Sequence, residues 1–221
     1  ADLNEAKMSG MGAGTNTAAI FAGDNSSPTA TVNTEIWDGS AWTEVNNLNT
    51  PRRYPEGAGL STAALLFSGI SNTNVESWDG TNWTEVGEVN TGVRQFARGG
   101  HTGNSDGIKA GGYTGTAHTA NAETWDGSSW TEVGDVNTAR DRAAGAGITT
   151  SGLIIGGESP DKANTEFWNG TSWTEIADLN EGRGNAMARG GTTTAGLIAG
   201  GNSPGTARHT STESWDGSSW T

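Results

Sequence analysis

The chain has 221 residues, a formal net charge of −13 and no cysteine. The acidic balance argues against nucleic acid and anionic membranes as partners, and no segment approaches the roughly 20 apolar residues of a spanning helix. The missing thiols exclude disulfides, thiolate catalysis and cysteine-bound zinc. Leu, Ile, Val and Phe together number only 29, a content that suggests disorder, yet ten residues are Trp, and disordered chains are poor in aromatics.

In chain order, the first strand expected is Gly10–Gly14, GMGAG, whose small residues allow close backbone approach. The same character returns at Glu56–Gly59, Arg98–Gly100, Ala144–Gly147 and Arg189–Gly191. A motif WDGSAWTEV at Trp37–Val45 comes back as WDGTNWTEV at Trp78–Val86, WDGSSWTEV at Trp125–Val133, WNGTSWTEI at Trp168–Ile176 and WDGSSWT at Trp215–Thr221. The spacings are 41, 47, 43 and 47 residues. The pairs Trp37 and Trp42, Trp78 and Trp83, Trp125 and Trp130, Trp168 and Trp173, and Trp215 and Trp220 account for all ten.

Units 1–45, 46–86, 87–133, 134–176 and 177–221 therefore repeat one another. In the fourth, strands are expected over Arg142–Ile148, Gly152–Ile155, Thr165–Trp168 and Trp173–Ile176, with no helix signal. The Asp-Gly or Asn-Gly after the first Trp is a turn that makes strands three and four a hairpin. In the simplest register the two Trp face each other, and so do Glu35 and Glu44. Like charges across a ladder repel, which predicts a cation nearby.

The candidates are Lys7, Arg52, Arg94, Arg140 and Arg183, each three or four residues after a recurring Asn (Asn4, Asn49, Asn90, Asn137, Asn180). One recurring Glu per unit, Glu35, Glu76, Glu123, Glu166 or Glu213, matches them in number. Internal pairing is expected, with an axial anion-binding collar as the alternative. Four-stranded antiparallel units of 40–50 residues, five times over, predict an all-β fold, a five-bladed β-propeller forming one domain. The segment Ala1–Asn4 matches Ala177–Asn180, so the chain reads as a ring cut inside one repeat. It begins without Met, which reads as a processed or excised fragment.

The unit resembles the kelch motif, through the Arg ahead of strand one, the doublets Gly111-Gly112, Gly156-Gly157 and Gly200-Gly201 closing strand two, and the second Trp after a turn. The pattern WDGSSWTEV with its GAG and AGG segments is also similar to repeats in structural proteins of marine bacteriophages. That resemblance implies a virion- or tail-associated module, or an extracellular one. A kelch oxidase would need copper ligands including Cys, which is absent.

His101 falls between strands one and two, and His118 and His209 between strands two and three, so a three-His metal site is not expected. The Asp-Gly turns lack the alternating ligands of a calcium loop. The Gly doublets lack the GK[ST] of a phosphate loop, and no Ser-His-Asp set recurs in phase. No cofactor or metal is expected, and no enzyme activity. What fails to repeat is the connectors between strands two and three, with Asn25, Asn72, Tyr113, His118, Lys162 and His209 as candidate binding residues. The expected function is a non-enzymatic, monomeric binding or scaffold module with a protein or glycan partner. The alternative is a multivalent lectin in which exposed Trp stack on sugars.

Overall fold

The structure, a computed structural model, describes residues 2–24, 31–70, 72–99, 103–158, 162–186, 188–202 and 208–221. Among them there is no helix, only short antiparallel strands. Blade 1 holds β1 (Met11–Gly14), β2 (Ala19–Asp24), β3 (Thr31–Trp37) and β4 (Trp42–Val45). Blade 2 holds β5 (Glu56–Leu60), β6 (Ala63–Phe67), β7 (Asn74–Trp78) and β8 (Trp83–Glu88). Blade 3 holds β9 (Ala97–Gly99), β10 (Gly107–Ala110), β11 (Ala122–Trp125) and β12 (Trp130–Val133). Blade 4 holds β13 (Ala144–Ile148), β14 (Ser151–Ile155), β15 (Thr165–Trp168) and β16 (Trp173–Glu175). Blade 5 holds β17 (Ala188–Thr192), β18 (Ala195–Ala199) and β19 (Thr212–Trp215).

Each sheet runs in sequence order. In blade 5 the fourth strand is reduced to a bridge between Trp215 and Trp220, with Thr221 and Ser214 exchanging backbone hydrogen bonds. The fold class is all-β, a five-bladed β-propeller. The first strand of blade 4 starts at Ala144, two residues later than the sequence suggests, because Arg142 adopts a left-handed conformation (φ 53°).

Packing groups the chain into two compact units. Unit 1 is Ala1–Arg94 with His101–Gly107 and Trp125–Thr131; unit 2 is Gln95–Gly100 with Ile108–Thr124 and Glu132–Thr221.

The hairpin register places Trp37 opposite Trp42, Trp78 opposite Trp83, and Trp168 opposite Trp173. Ring centroids in the five pairs lie 5.3 to 5.9 Å apart and tilted, a favourable aromatic geometry. Trp37 and Trp42 are half-buried, and the other eight are buried. The turn between each pair closes on an Asp or Asn. Asp38 Oδ1 accepts from Ser40 N, Ser40 Oγ and Ala41 N, and the following Gly39 has φ +96°, where a side chain would be strained.

These contacts, the Ser hydroxyl first, hold Asp38, Asp126 and Asp216 at about 2. A carboxyl lowered on folding adds stability above its unfolded value near ~3.9 and loses it as pH falls towards the folded value. Asn169 closes the same turn with bonds from Thr171 N and Ser172 N, both at 2.9 Å. Asp126→Asn should therefore leave thermal stability at pH 7 little changed and reduce its loss between about pH 4 and 2, as followed by melting across that range.

The first Trp of each unit donates its indole N–H to a carbonyl of the hairpin between strands one and two: Asn16, Ser61, Asn104, Thr149 or Thr193, at 2.8 to 3.0 Å. The second Trp reaches the residue before the preceding unit's recurring Glu. Trp83 donates to Thr34 Oγ1 at 3.0 Å and Trp220 to Thr165 Oγ1 at 3.1 Å. For Trp130 and Trp173 that place is held by Val75 and Ala122, which offer no side-chain oxygen, and the two buried indole nitrogens have no hydrogen-bond partner. Ala122 and Trp173 share one core cluster. A buried donor left unmade is costly, so Ala122→Thr and Val75→Thr should each raise stability by about 0.5–1.5 kcal/mol in urea unfolding.

Within each compact unit, neighbouring blades pack closely at their first strands. A Cβ on Gly145 would come within 2.5 Å of Arg98 backbone atoms, and one on Gly57 within 2.4 Å of Met11. The apolar core follows the same junctions. In unit 1 Ile20, Leu66, Trp78 and Trp83 pack together; in unit 2 Ile108, Ile154, Trp168 and Trp173 form one cluster, and Leu153, Ile198, Trp215 and Trp220 another.

Candidate functional site

The recurring Glu, Asn and basic residue assemble into one device. Glu166 lies opposite Glu175 on the ladder and is buried. Its Oε2 accepts from Asn137 N at 2.7 Å and Asn137 Nδ2 at 2.8 Å, and its Oε1 from Arg140 Nη2. The Arg140 Nη1 group also serves the Gly156 and Asn164 carbonyls at 3.1 and 2.9 Å. Glu213 is held likewise by Asn180 and by Arg183 at 2.6 Å, Glu76 by Asn49 and by Arg52 at 2.9 Å, and Glu35 by Asn4 and by Lys7 at 3.8 Å. Burial lowers the guanidinium pKa of Arg52 and Arg140, and the facing Glu opposes that shift. Arg52, Arg140 and Arg183 are thus enclosed partners of carboxylates, without an open face for an anion.

In unit three a further cation joins the set. The carbonyl that accepts from the strand-end glycine belongs to Arg140 (from Gly112), Arg183 (from Gly157) and Val93 (from Gly69). Val93, three residues after Asn90, therefore stands where the other units carry a base. Arg94 is displaced by one position and lies over the Tyr54 ring at 5.9 Å. Glu123 is paired with the buried Lys109 of β10. Burial lowers the Lys109 pKa, with Glu123 opposing. The signal for Lys109 was a single charged residue in strand two, aligned with Leu66, Ile154 and Ile198.

A second recurring feature escaped the sequence reading. Five residues after each recurring Asn, a residue other than glycine has positive φ: Ser9 (60°), Tyr54 (55°), Gln95 (57°), Arg142 (53°) and Asn185 (51°). Such strain persists where the surroundings enforce it. In unit 2 the surroundings are a head-to-tail chain of backbone bonds, from Arg142 N to Gln95 O at 2.6 Å and from Asn185 N to Arg142 O at 3.0 Å. The identities differ at every position, although the geometry repeats.

Around Arg142 the connectors of unit 2 converge. Arg142 Nη1 donates to Glu158 Oε2, while Glu158 Oε1 accepts from Asn185 Nδ2 at 3.0 Å and Asn202 Nδ2 at 3.1 Å. Asp141 is joined to Glu158 by a backbone bridge, and its Oδ1 lies 3.2 Å from His118 Nδ1. His118 bridges to Tyr113, their rings 5.3 Å apart. Burial pushes the Asp141 carboxyl up, against the pull of His118 and Arg142. The result is a polar surface with amide, guanidinium, carboxylate and imidazole groups, suited to directional hydrogen bonding.

Of the six connector residues expected to bind, Tyr113 and His118 belong to this surface. His209 lies at the next connector, its Nδ1 3.0 Å from Glu181. Lys162 contributes backbone bonds to Gly157 and Arg183, and Asn72 caps Asn74 N at 2.8 Å. Asn25 lies outside the described residues, as does His101. Among the described residues no three His, Asp or Glu side chains group so as to hold a metal ion. No helix among them is long and apolar enough to cross a membrane.

The sequence matches no protein-family model and no curated protein. Its architecture is shared with solved structures, of which 201 chains match. One is the structure of YjhT, with a TM-score of 0.78 and 13% identity over 94% of this chain and 81% of that one. At that identity the likeness shows the propeller fold alone.

Proposed function

We propose that the chain is a non-enzymatic binding or scaffold module that recognises a protein partner through the connectors that converge on Arg142, those between strands two and three and those leading into strand one. The observation that carries this reading is the contrast at the left-handed positions. A repeated, strained backbone presents Gln95, Arg142 and Asn185 in turn, so the frame is kept while the displayed chemistry varies. The kelch-like unit and the resemblance to phage structural repeats support a virion- or tail-associated role. The test is affinity capture with mass spectrometry, using the native chain beside a Tyr113→Ala, His118→Ala, Arg142→Asn and Glu158→Ala variant. A partner held by the native chain and released by the variant supports the reading; equal retention contradicts it.

A second reading, saccharide binding, is supported by a groove in unit 2 away from Arg142. Stacking on the ten repeated Trp is not its basis, since eight are buried and fill the core.

A further inference from the structure

Between the β13–β14 and β17–β18 hairpins of unit 2 lies a groove of about 510 Å³, lined by Ser151, Phe167, Ile176, Thr193, Trp215 and Ser218 among others. At two other blade junctions polar side chains cross the equivalent space. At the junction of blades 1 and 2, the Asn46 side chain crosses to Thr81 O at 3.0 Å and Asn82 Oδ1 at 2.9 Å. At the junction of blades 2 and 3, Asn104 Nδ2 reaches Ser77 Oγ at 2.7 Å. The corresponding residues here are Ala177, which has no polar group to cross with, and Thr193, which turns instead to Ser151 Oγ at 3.0 Å. The residue before the first Trp, Ser77 in blade 2, is Phe167 in blade 4, which puts an aromatic ring on the wall.

We infer that this groove is a binding site for an uncharged saccharide. The volume falls in the range of small-ligand sites, roughly 300–1,000 Å³. Phe167 and Ile176 offer an apolar wall for the C–H face of a sugar ring. Ser151 Oγ and Thr193 Oγ1 lie 3.0 Å apart, so their mutual bond uses one hydroxyl proton and leaves the other hydroxyl free to donate. Ser218 Oγ is committed to Asp216 as a donor at 2.8 Å and keeps its acceptor capacity. No Asp, Glu, Lys or Arg lines the groove, so a charged ligand would lose its hydration without a counter-ion. A purely apolar ligand would leave these hydroxyls without partners, whereas ring hydroxyls satisfy them.

This inference rests on the saccharide reading and is independent of the connectors around Arg142. The test titrates the full chain with methyl glucoside, methyl galactoside, N-acetylglucosamine and, as a charged control, glucuronic acid, reading Trp fluorescence and calorimetry. The expected result is binding of at least one neutral sugar and none of glucuronic acid. Phe167→Ser, the residue found at this position in blade 2, should weaken binding about tenfold or more while circular dichroism stays unchanged. Ala177→Asn should block the groove in the same way. Neutral-sugar binding that both variants leave intact would overturn the groove and keep the saccharide reading. Preference for glucuronic acid would overturn the uncharged class, and no binding by the native chain would overturn groove and saccharide reading together.

Discussion

Arg140→Ala should lower the unfolding free energy by about 3–5 kcal/mol, a large part of the roughly 5–15 kcal/mol typical of a domain. Removing the guanidinium strands Glu166, whose side chain is 0% exposed, opposite Glu175 in the same ladder. It also removes the donor that serves the Gly156 and Asn164 carbonyls. A buried carboxylate without its partner is among the costliest single changes, far above the roughly 0–1 kcal/mol of an exposed pair. The check is urea unfolding of Arg140→Ala beside Arg140→Ala/Glu166→Gln. Neutralising Glu166 should recover part of the loss, because Gln still accepts from Asn137. A loss below about 1 kcal/mol in the single variant would mean that the pair behaves as an exposed one. Unit three offers an independent comparison, since Glu123 is paired with the buried Lys109.

Trp168→Ala should cost a similar amount, about 3–5 kcal/mol. Its ring is fully buried, lies 5.4 Å from Trp173, and packs with Ile108, Ala122 and Ile154. Gly152 stands directly opposite it on β14 and cannot fill the space left behind. A buried indole covers roughly 150–250 Å², and at about 25 cal/mol/Å² the loss of burial alone is of this size. Trp168→Phe keeps most of the ring but leaves the Thr149 carbonyl without its donor at 2.8 Å, so its cost should be clearly smaller. Equal damage from both substitutions would assign the stability to the hydrogen bond and not to the ring.

The fold was legible because its determinants repeat in register: two Trp, an Asp-Gly or Asn-Gly turn, a Glu and an Asn in each unit. Cross-strand facing of the Trp and Glu pairs followed from the turn length alone. Lys109 was missed because a base was sought at a fixed distance from the recurring Asn. In unit three Val93 takes that place, and a neighbouring strand supplies a further charge. The left-handed residues were missed because Ser9, Tyr54, Gln95, Arg142 and Asn185 share a conformation without sharing chemistry. A reading based on side-chain identity has no handle on such a position. The groove beside Phe167 lacks the crossing side chains found at two other junctions, and such an absence shows only by comparison with them.

The central claim is that repeating residues hold the fold while non-repeating ones are free for recognition. Its most direct test is the thermal midpoint of a five-fold variant, Tyr113→Ala, His118→Ala, Asp141→Asn, Arg142→Asn and Glu158→Ala, measured beside Arg140→Ala. Arg142 and Glu158 are removed together, and Asp141, which is buried and faces both His118 and Arg142, is neutralised with them, so no carboxylate is left without its partner. A midpoint within a few degrees of the native chain is predicted for the five-fold variant and a far lower one for Arg140→Ala. A five-fold variant that melts as early as Arg140→Ala would contradict it.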